Sequence, residues 1–231
     1  MSPLISVIVP VLDEAERIGV LLADIAVLEI AHEVIVVDGG SQDATVEVAR
    51  AAGATVLAAE RGRGSQLRAG ARAANAPVLL FLHADVRLPL PTLREVERRA
   101  RQGVDAACAF RLRIDSPRPI FRVLERGANF RSRWLGLPYG DQGLLVSRAA
   151  YDAVGGYPPV PLMEDVALAR ALRRGPGLQL LAPHVLVSPR RWLRDGPIRR
   201  TALNLTLLAR YLTGTSPDRL VRHYRPPGAG G

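Results

Sequence analysis

The chain is 231 residues long and 48% hydrophobic, enough for a substantial core, which excludes the disordered class. Its net charge is +9 and all 31 basic residues are arginine, so a Schiff-base lysine and a P-loop lysine are both excluded. The single cysteine, Cys108, excludes an intramolecular disulfide framework and a cysteine-rich zinc site, and suits a reducing cytosol.

Short apolar runs alternate with helical patterns through the first half. Residues 4–9 predict a buried strand, closed by Pro10. A helix follows over 14–28, with Ile18, Leu21, Leu22 and Ile25 at helical spacing. Residues 33–37 predict a second strand, ended by Asp38-Gly39-Gly40, and Ser41 or Asp43 is placed to cap a helix running through Ala51. A third strand is predicted over 55–58, a helix over 63–74, a fourth strand over 77–82 and a helix over 91–101. Strands of this length alternating with helices imply right-handed βαβ units and a parallel sheet.

After residue 104 the rhythm changes. Strands are predicted over 104–113 and 142–147, with one or two more over 178–187. Helices are predicted over 119–134, 164–174 and 198–212, with a short one over 218–223 before a frayed Pro-Pro-Gly-Ala-Gly-Gly end. No repeat or linker interrupts the pattern. The expectation is one domain over 1–231, with a nucleotide-binding half (4–103), an acceptor and catalytic half (104–192) and basic C-terminal helices (193–225).

Met1-Ser2-Pro3 carries no positive charge before the first apolar run, and Asp13-Glu14 end that run early, so no secretory leader is expected. No stretch is apolar for long enough to read as a membrane span. From Ser188 onward nine arginines face only Asp195 and Asp218. An arginine-only basic set fits a codon bias, so nucleic acid is not expected as a partner. Two readings of the basic tail stay open: a solvated face, and peripheral contact with phosphates on an anionic membrane. The helix over 198–212 carries Ile198, Ala202, Leu205, Leu208, Ala209 and Leu212 on one face, to pack on its own domain or on lipid. A cytoplasmic location is expected, with the inner face of the membrane as the peripheral alternative.

In open α/β sheets, ligands bind outside the carboxyl ends of the strands. Acidic residues stand at three such ends: Asp13-Glu14, Asp38 and Asp85. Each alone could be a cap or turn residue. Together on one edge they repel unless a cation or ligand donors offset them. Asp38 and the close-approach turn at Gly39 suit a base or ribose. Arg61-Gly62-Arg63-Gly64-Ser65-Gln66 opens a helix, and its backbone N–H groups with Arg63 suit a diphosphate. Asp85 suits Mg²⁺ or Mn²⁺, and His83 beside it is either a second ligand, favouring Mn²⁺, or a hydrogen-bonded structural residue. Glu164-Asp165 opens a helix after a Gly/Pro-rich loop, placed either for the helix dipole or as a general base. Arg190-Arg191-Trp192 offers bidentate phosphate contacts and a ring to stack on sugar.

In this order Ile8-Val9-Pro10-Val11-Leu12-Asp13-Glu14, Val36-Val37-Asp38-Gly39-Gly40-Ser41-Gln42-Asp43, His83-Ala84-Asp85, Glu164-Asp165 and Arg190-Arg191-Trp192 resemble the family-2 glycosyltransferases over residues 4–192. The ending is similar to a small bacterial subgroup described as selenium-domain-associated or arsenosugar-type transferases. The resemblance implies a GT-A fold, a Rossmann-like mostly parallel sheet flanked by helices, and inverting transfer from a nucleoside-diphosphate sugar, a UDP-sugar being favoured. The acceptor it implies is a small molecule or a lipid-linked one.

The same resemblance puts Pro10, Val11, Asp13, Glu14, Asp38, Gly39, Ala84, Asp85, Arg191 and Trp192 at the donor, to which the glycine-rich loop adds Arg63 and Gln66. It gives Asp85 the metal role beside His83, and makes Asp165 the base with Glu164 beside it. Asp141 and Gln142 are expected in the donor-sugar and acceptor pocket. The sequence departs from the family at His83, where the metal motif's first Asp would stand, at Ser188 in place of Gln, and at Asp13 in place of Asn. The competing classes are a nucleotidyltransferase, a catalytically silent nucleotide-sugar-binding module and an NAD-dependent oxidoreductase. The first and last call for a glycine-rich loop after the first strand, where this chain has no glycine before Gly19.

Overall fold

The structure, a computed structural model, describes residues 2–221. The chain runs β1 (Ile5–Val11), α1 (Ala15–Ile25), β2 (His32–Asp38), α2 (Thr45–Ala51), β3 (Thr55–Ala58), α3 (Arg63–Ala73), β4 (Val78–Phe81), β5 (Val86–Arg87) and α4 (Leu90–Gln102). It continues with β6 (Ala107–Ile114), α5 (Pro119–Phe130), β7 (Leu144–Ser147), α6 (Arg148–Ala153), α7 (Glu164–Arg174) and β8 (Leu178–Val187). The last helices are α8 (Arg190–Asp195), α9 (Pro197–Leu212) and α10 (Pro217–Val221). The end of the expected short helix and the Pro-Pro-Gly-Ala-Gly-Gly segment, with Arg222, His223 and Arg225, lie outside the described residues.

One eight-stranded sheet carries the fold, in the order β3-β2-β1-β4-β7-β6-β8-β5. The four strands of the first half pair in parallel, as expected from the βαβ rhythm. β7 runs antiparallel to both β4 and β6, while β8 returns to the parallel direction beside β6. This gives the mostly parallel, helix-flanked α/β sheet that the sequence implied.

Every residue of β1 is buried, which is why it reads as an unbroken apolar run. Its side chains alternate between faces. Val7 and Val9 join a core layer with Ile18 and Leu21 of α1 and Val96 of α4. Ile8 points into the opposite layer, with Leu67 of α3 and Leu172 of α7. Ser6 is the polar exception, and its hydroxyl donates to Glu33 (2.5 Å) and accepts from the Ala76 N–H (3.0 Å). A third, smaller cluster of Leu137, Met163, Val166, Leu207, Leu208 and Leu220 seats the C-terminal helices.

Several elements differ from expectation, β5 and α6 among them, which were not foreseen. The helix predicted over 119–134 ends at Phe130, and its last turn widens into a π-turn, Arg131–Leu135, stopped by Gly136 in the left-handed region. Arg190–Asp195, for which no element was predicted, is helical. The face of α9 is also rotated: Leu203, Leu207, Leu208 and Tyr211 pack inward, whereas Ile198, Ala202, Leu205, Ala209 and Leu212 are exposed. The helix has apolar residues on more than one side, so spacing alone allowed two orientations. Arg200 is buried and paired to Asp195 (3.3 Å). Among the described residues no helix is long and apolar enough to cross a membrane.

Candidate functional site

The strand directions gather the candidate residues. β1, β2, β4 and β8 all end on one edge of the sheet, and antiparallel β7 begins there, preceded by the 3₁₀ turn Gly140–Gln142. The N-terminus of α7 meets the same edge. Between these segments lies a cleft of about 390 Å³, open to solvent, lined by Pro10, Val11, Glu14, Arg63, Gln66, His83, Ala84, Asp85, Glu164 and Arg191. A smaller recess of about 80 Å³ adjoins it, lined by Tyr139, Gly140, Asp141, Asp165, Arg200 and Asn204. Arg63, His83, Glu164 and Arg191 border both.

Asp85 is buried at the foot of the cleft, with Arg190 and Arg191 each 3.3 Å from its Oδ2. Burial would raise its pKa, but Arg191, the neighbouring His83, Arg190 and Arg63 together hold it below the usual carboxylate value. Arg190 also bonds Glu14, which joins the loop after β1 to the loop after β8. Among the described residues, two buried side-chain nitrogens have no hydrogen-bond partner: His83 Nδ1 and Arg191 Nε. Both belong to this site. Burial first, then Arg63 and Arg191, depress the His83 pKa to about 3, so its ring is neutral and can offer a lone pair.

These features bear on a divalent cation. Both arginines reach Oδ2 of Asp85, and His83 supplies an unsatisfied nitrogen beside it. Among the described residues no three His, Cys, Asp or Glu side chains converge as a metal cluster. Two protein donors fit Mn²⁺ or Mg²⁺ only where a ligand's phosphate oxygens and water complete the shell, which is how such ions bind at phosphate sites. Gly140 lets its backbone pack closely on the His83 ring, because a Cβ there would lie 2.5 Å from Nε2.

Asp165 begins α7. Its Oδ2 accepts from the Gly140 N–H (2.8 Å) and its Oδ1 from the Val166 N–H (2.7 Å), which fixes the carboxylate at the rim of the recess. Glu164 is buried beside it. Burial pushes its pKa up to about 7; Arg63, 3.8 Å away, pulls against this and Asp165 adds to it. Burial likewise pushes the Asp141 carboxyl up to about 6, against Arg131 and Arg191. Met163, just before this pair, and Asp13, after β1, are the two non-glycine residues with left-handed backbone among those described (φ 66° and 53°). Such strain persists where surrounding contacts over-determine it. At Asp13 those contacts run to the facing loop: its N–H donates to Ser41 Oγ (3.0 Å) and its carboxylate accepts from the Gln42 N–H (2.7 Å).

Five expected donor residues are placed otherwise. Asp13 laces two loops rather than lining the cleft. Asp38 spends both oxygens on its own turn, accepting from the Gly40 and Ser41 N–H groups (both 3.1 Å) and the Ser41 hydroxyl (2.5 Å). Gly39 lies against the Gln66 side chain. Gln142 is fully buried, its amide nitrogen on the Phe110 carbonyl (2.9 Å) and its oxygen accepting from Ser132 (2.6 Å), so it shapes the recess from behind. Trp192 stands edge-on to Phe121, ring centroids 6.3 Å apart, and packs against the core instead of offering a stacking face. Gln66 does line the cleft, but its amide nitrogen is committed to the carbonyls of Val11 (2.9 Å) and Val37 (2.8 Å). The glycine loop also differs in purpose. Gly64 is small because the Pro158 carbonyl would lie 2.5 Å from a Cβ, so a neighbouring loop passes there. Tyr139, Arg200 and Asn204 were not foreseen; they reach the recess from separate segments, and only the lone tyrosine before Gly140-Asp141 was a local sign.

Residues 6–156 match the family described as Glycosyl transferase family 2. No curated protein matches the chain. Among solved structures, TarS 1–349 of S. aureus superposes with a TM-score of 0.63 at 18% identity, over 88% of this chain and 65% of that one, so this chain spans less than two thirds of its length. The mannosyltransferase PcManGT of Pyrobaculum calidifontis, in complex with GDP-Man and Mn²⁺, gives 0.65 at 22% identity, over 94% and 67%. Glucosyl-3-phosphoglycerate synthase of Mycobacterium tuberculosis, in complex with Mn²⁺, UDP and glucosyl-3-phosphoglycerate, gives 0.58 at 19%, over 80% and 70%. At these identities the likeness is one of fold.

Proposed function

The chain belongs to glycosyl transferase family 2, and from that premise we propose that it moves a sugar from a nucleoside-diphosphate sugar to an acceptor hydroxyl, with inversion at the anomeric carbon. The acceptor is a small molecule or a lipid-linked one, and a UDP-sugar is the favoured donor. One observation carries the reading. The unpartnered buried nitrogens of Arg191 and His83 flank Asp85 where the cleft meets the recess. Leaving such groups unmade costs about 1–3 kcal/mol each, more for a charged one, so their placement implies a ligand that satisfies them. A diphosphate does so: the guanidinium donates to its oxygens, and a divalent cation held by Asp85 and His83 would offset the charge gathering on it.

The sugar then lies towards the recess, with Asp165 on its far side. The acceptor oxygen bonds to the anomeric carbon as the carbon–phosphate oxygen bond breaks. Asp165 takes the hydroxyl proton, and the electron pair leaves with the diphosphate, towards Arg63, Arg190 and Arg191. Glu164, its pKa raised to about 7, is about half protonated near neutral pH, and in that form it donates a hydrogen bond beside the base rather than competing for the proton. The buried Cys108 suits a reducing compartment, and we set the reaction in the cytoplasm. The Arg190-Arg191-Trp192 ending and the helix after it favour the selenium-domain-associated or arsenosugar-type subgroup.

Calorimetry with UDP-, GDP- and dTDP-sugars, each with and without Mn²⁺, identifies the donor. With it, Asp165→Asn is expected to keep donor affinity within a few-fold while transfer falls by about 10²–10⁴, and NMR of the product shows inverted configuration. Near-wild-type transfer by the variant, or a retained configuration, overturns the mechanism.

A further inference from the structure

α5 and the π-turn after it present an apolar row to solvent: Ile120, Val123, Phe130, Trp134 and Leu135. Phe130 is 62% exposed and Trp134 63%, with ring centroids 6.3 Å apart. The spacing from Ile120 through Val123 and Phe130 to Trp134 is that of a single helical stripe. α9 packs against α5 and carries a second exposed row: Ile198 (74% exposed), Ala202, Leu205, Ala209 and Leu212. An ordinary surface scatters such residues singly; two rows on contacting helices form a patch.

The charges around the rows are predominantly positive. Residues 116–140 hold five arginines and one acid, Glu125, which is buried and paired with Arg122 (2.9 Å). Residues 197–212 hold three arginines and no acid. Arg118, Arg126, Arg133, Arg199 and Arg210 are exposed. A second copy of this chain is a poor occupant, because an isologous contact would set these arginines against themselves. A surface with an apolar interior and anionic head groups matches both features. Aromatic and aliphatic side chains enter the interface while arginines meet lipid phosphates.

We propose that the exposed face of α5, its π-turn and α9 is the docking surface for an anionic lipid bilayer. This places membrane contact on the middle of the chain, whereas the sequence alone pointed to its basic tail. The docked face also adjoins the site. Four residues separate the π-turn from Gly140, whose N–H holds Asp165, and Arg131 of the turn stacks 3.5 Å over the Tyr139 ring at the recess.

The test is flotation of the full chain with phosphatidylcholine–phosphatidylglycerol vesicles against phosphatidylcholine alone, without donor, so that its outcome is independent of the transferase reading. Binding is expected only to the anionic vesicles and is lost in high salt. Arg118→Gln with Arg126→Gln weakens it by about fivefold per charge, and Phe130→Ser with Trp134→Ser by about tenfold or more. These side chains are exposed, so circular dichroism of the variants should match the wild type. Trp134 reports directly: its emission shifts to the blue on anionic vesicles, and Trp134→Phe removes the shift while Trp192 remains. Failure to bind anionic vesicles, binding unchanged by the Phe130/Trp134 pair, or a dimer in sedimentation velocity that this pair dissolves would each overturn the proposal.

Discussion

Replacing Glu164 by Gln gives a direct reading of the site's electrostatics. The carboxyl is buried and its pKa lies at about 7 against an ordinary value of 4.5. A carboxyl whose native pKa is raised binds its proton more tightly in the folded state. Its contribution to stability is complete below 4.5 and is lost as pH rises through about 7. The gap corresponds to about 3 kcal/mol at 1.36 kcal/mol per pKa unit. Glutamine keeps the shape and hydrogen-bonding capacity of the protonated acid and has nothing to titrate. Urea unfolding of both proteins across pH 4 to 8 is therefore expected to show their stability difference opening by up to about 3 kcal/mol in favour of the variant as pH rises. Asp141, raised to about 6, titrates in both proteins in the same direction and cancels in the comparison. Parallel pH profiles with unchanged m-values would refute the reasoning, because they would mean that Arg63 keeps Glu164 ionised throughout.

Asp38→Ala removes the acceptor for two N–H groups and a hydroxyl, so it should cost about 2 kcal/mol of stability in urea melts; nucleotide affinity by calorimetry falls only as far as the turn is disturbed. Gly140→Ala drives a Cβ to within 2.5 Å of His83 Nε2, and loss of Mn²⁺-dependent donor binding with little change in melting temperature is the outcome expected. Trp192→Ala loses the edge contact with Phe121 and should destabilise the fold by about 3 kcal/mol or more while donor affinity stays near wild type; a selective loss of donor affinity would return Trp192 to the cleft.

The first half of the fold was legible because buried parallel strands are continuous apolar runs and the helices between them carry regular stripes. β5 was not, since its two residues become a strand only by pairing with β8, far away in sequence. α8 was hidden for another reason: Arg190-Arg191-Trp192-Leu193-Arg194 reads as a basic patch, and its helical turn depends on Arg190 and Arg191 being held by Asp85 and Glu14. At the site, residue types at strand ends were enough to find Asp85, Arg191 and the pair at α7. What they could not give was where each side chain points. Asp38 and Gln142 are polar residues beside a pocket, and nothing local says whether the pocket or the backbone receives them. Met163 carried no sign at all, because left-handed backbone at a methionine is imposed by its surroundings.

The Gln66 amide has a mechanical consequence. By holding the carbonyls of Val11 and Val37 with one nitrogen, it makes the loops after β1 and β2 a single rigid jaw, braced further by the links from Asp13 and Glu14 to Ser41 and Thr45. The opposite jaw, residues 155–163, is anchored by Tyr157, buried against Phe81 and Tyr151, and rests on α3 through the Arg68–Tyr157 carbonyl bond (3.1 Å) and the seat at Gly64. That jaw carries Glu164 and Asp165 at its far end. A bulkier residue at position 64 would prop the mouth ajar and leave the acid pair out of place, slowing turnover without touching a single group that meets the nucleotide.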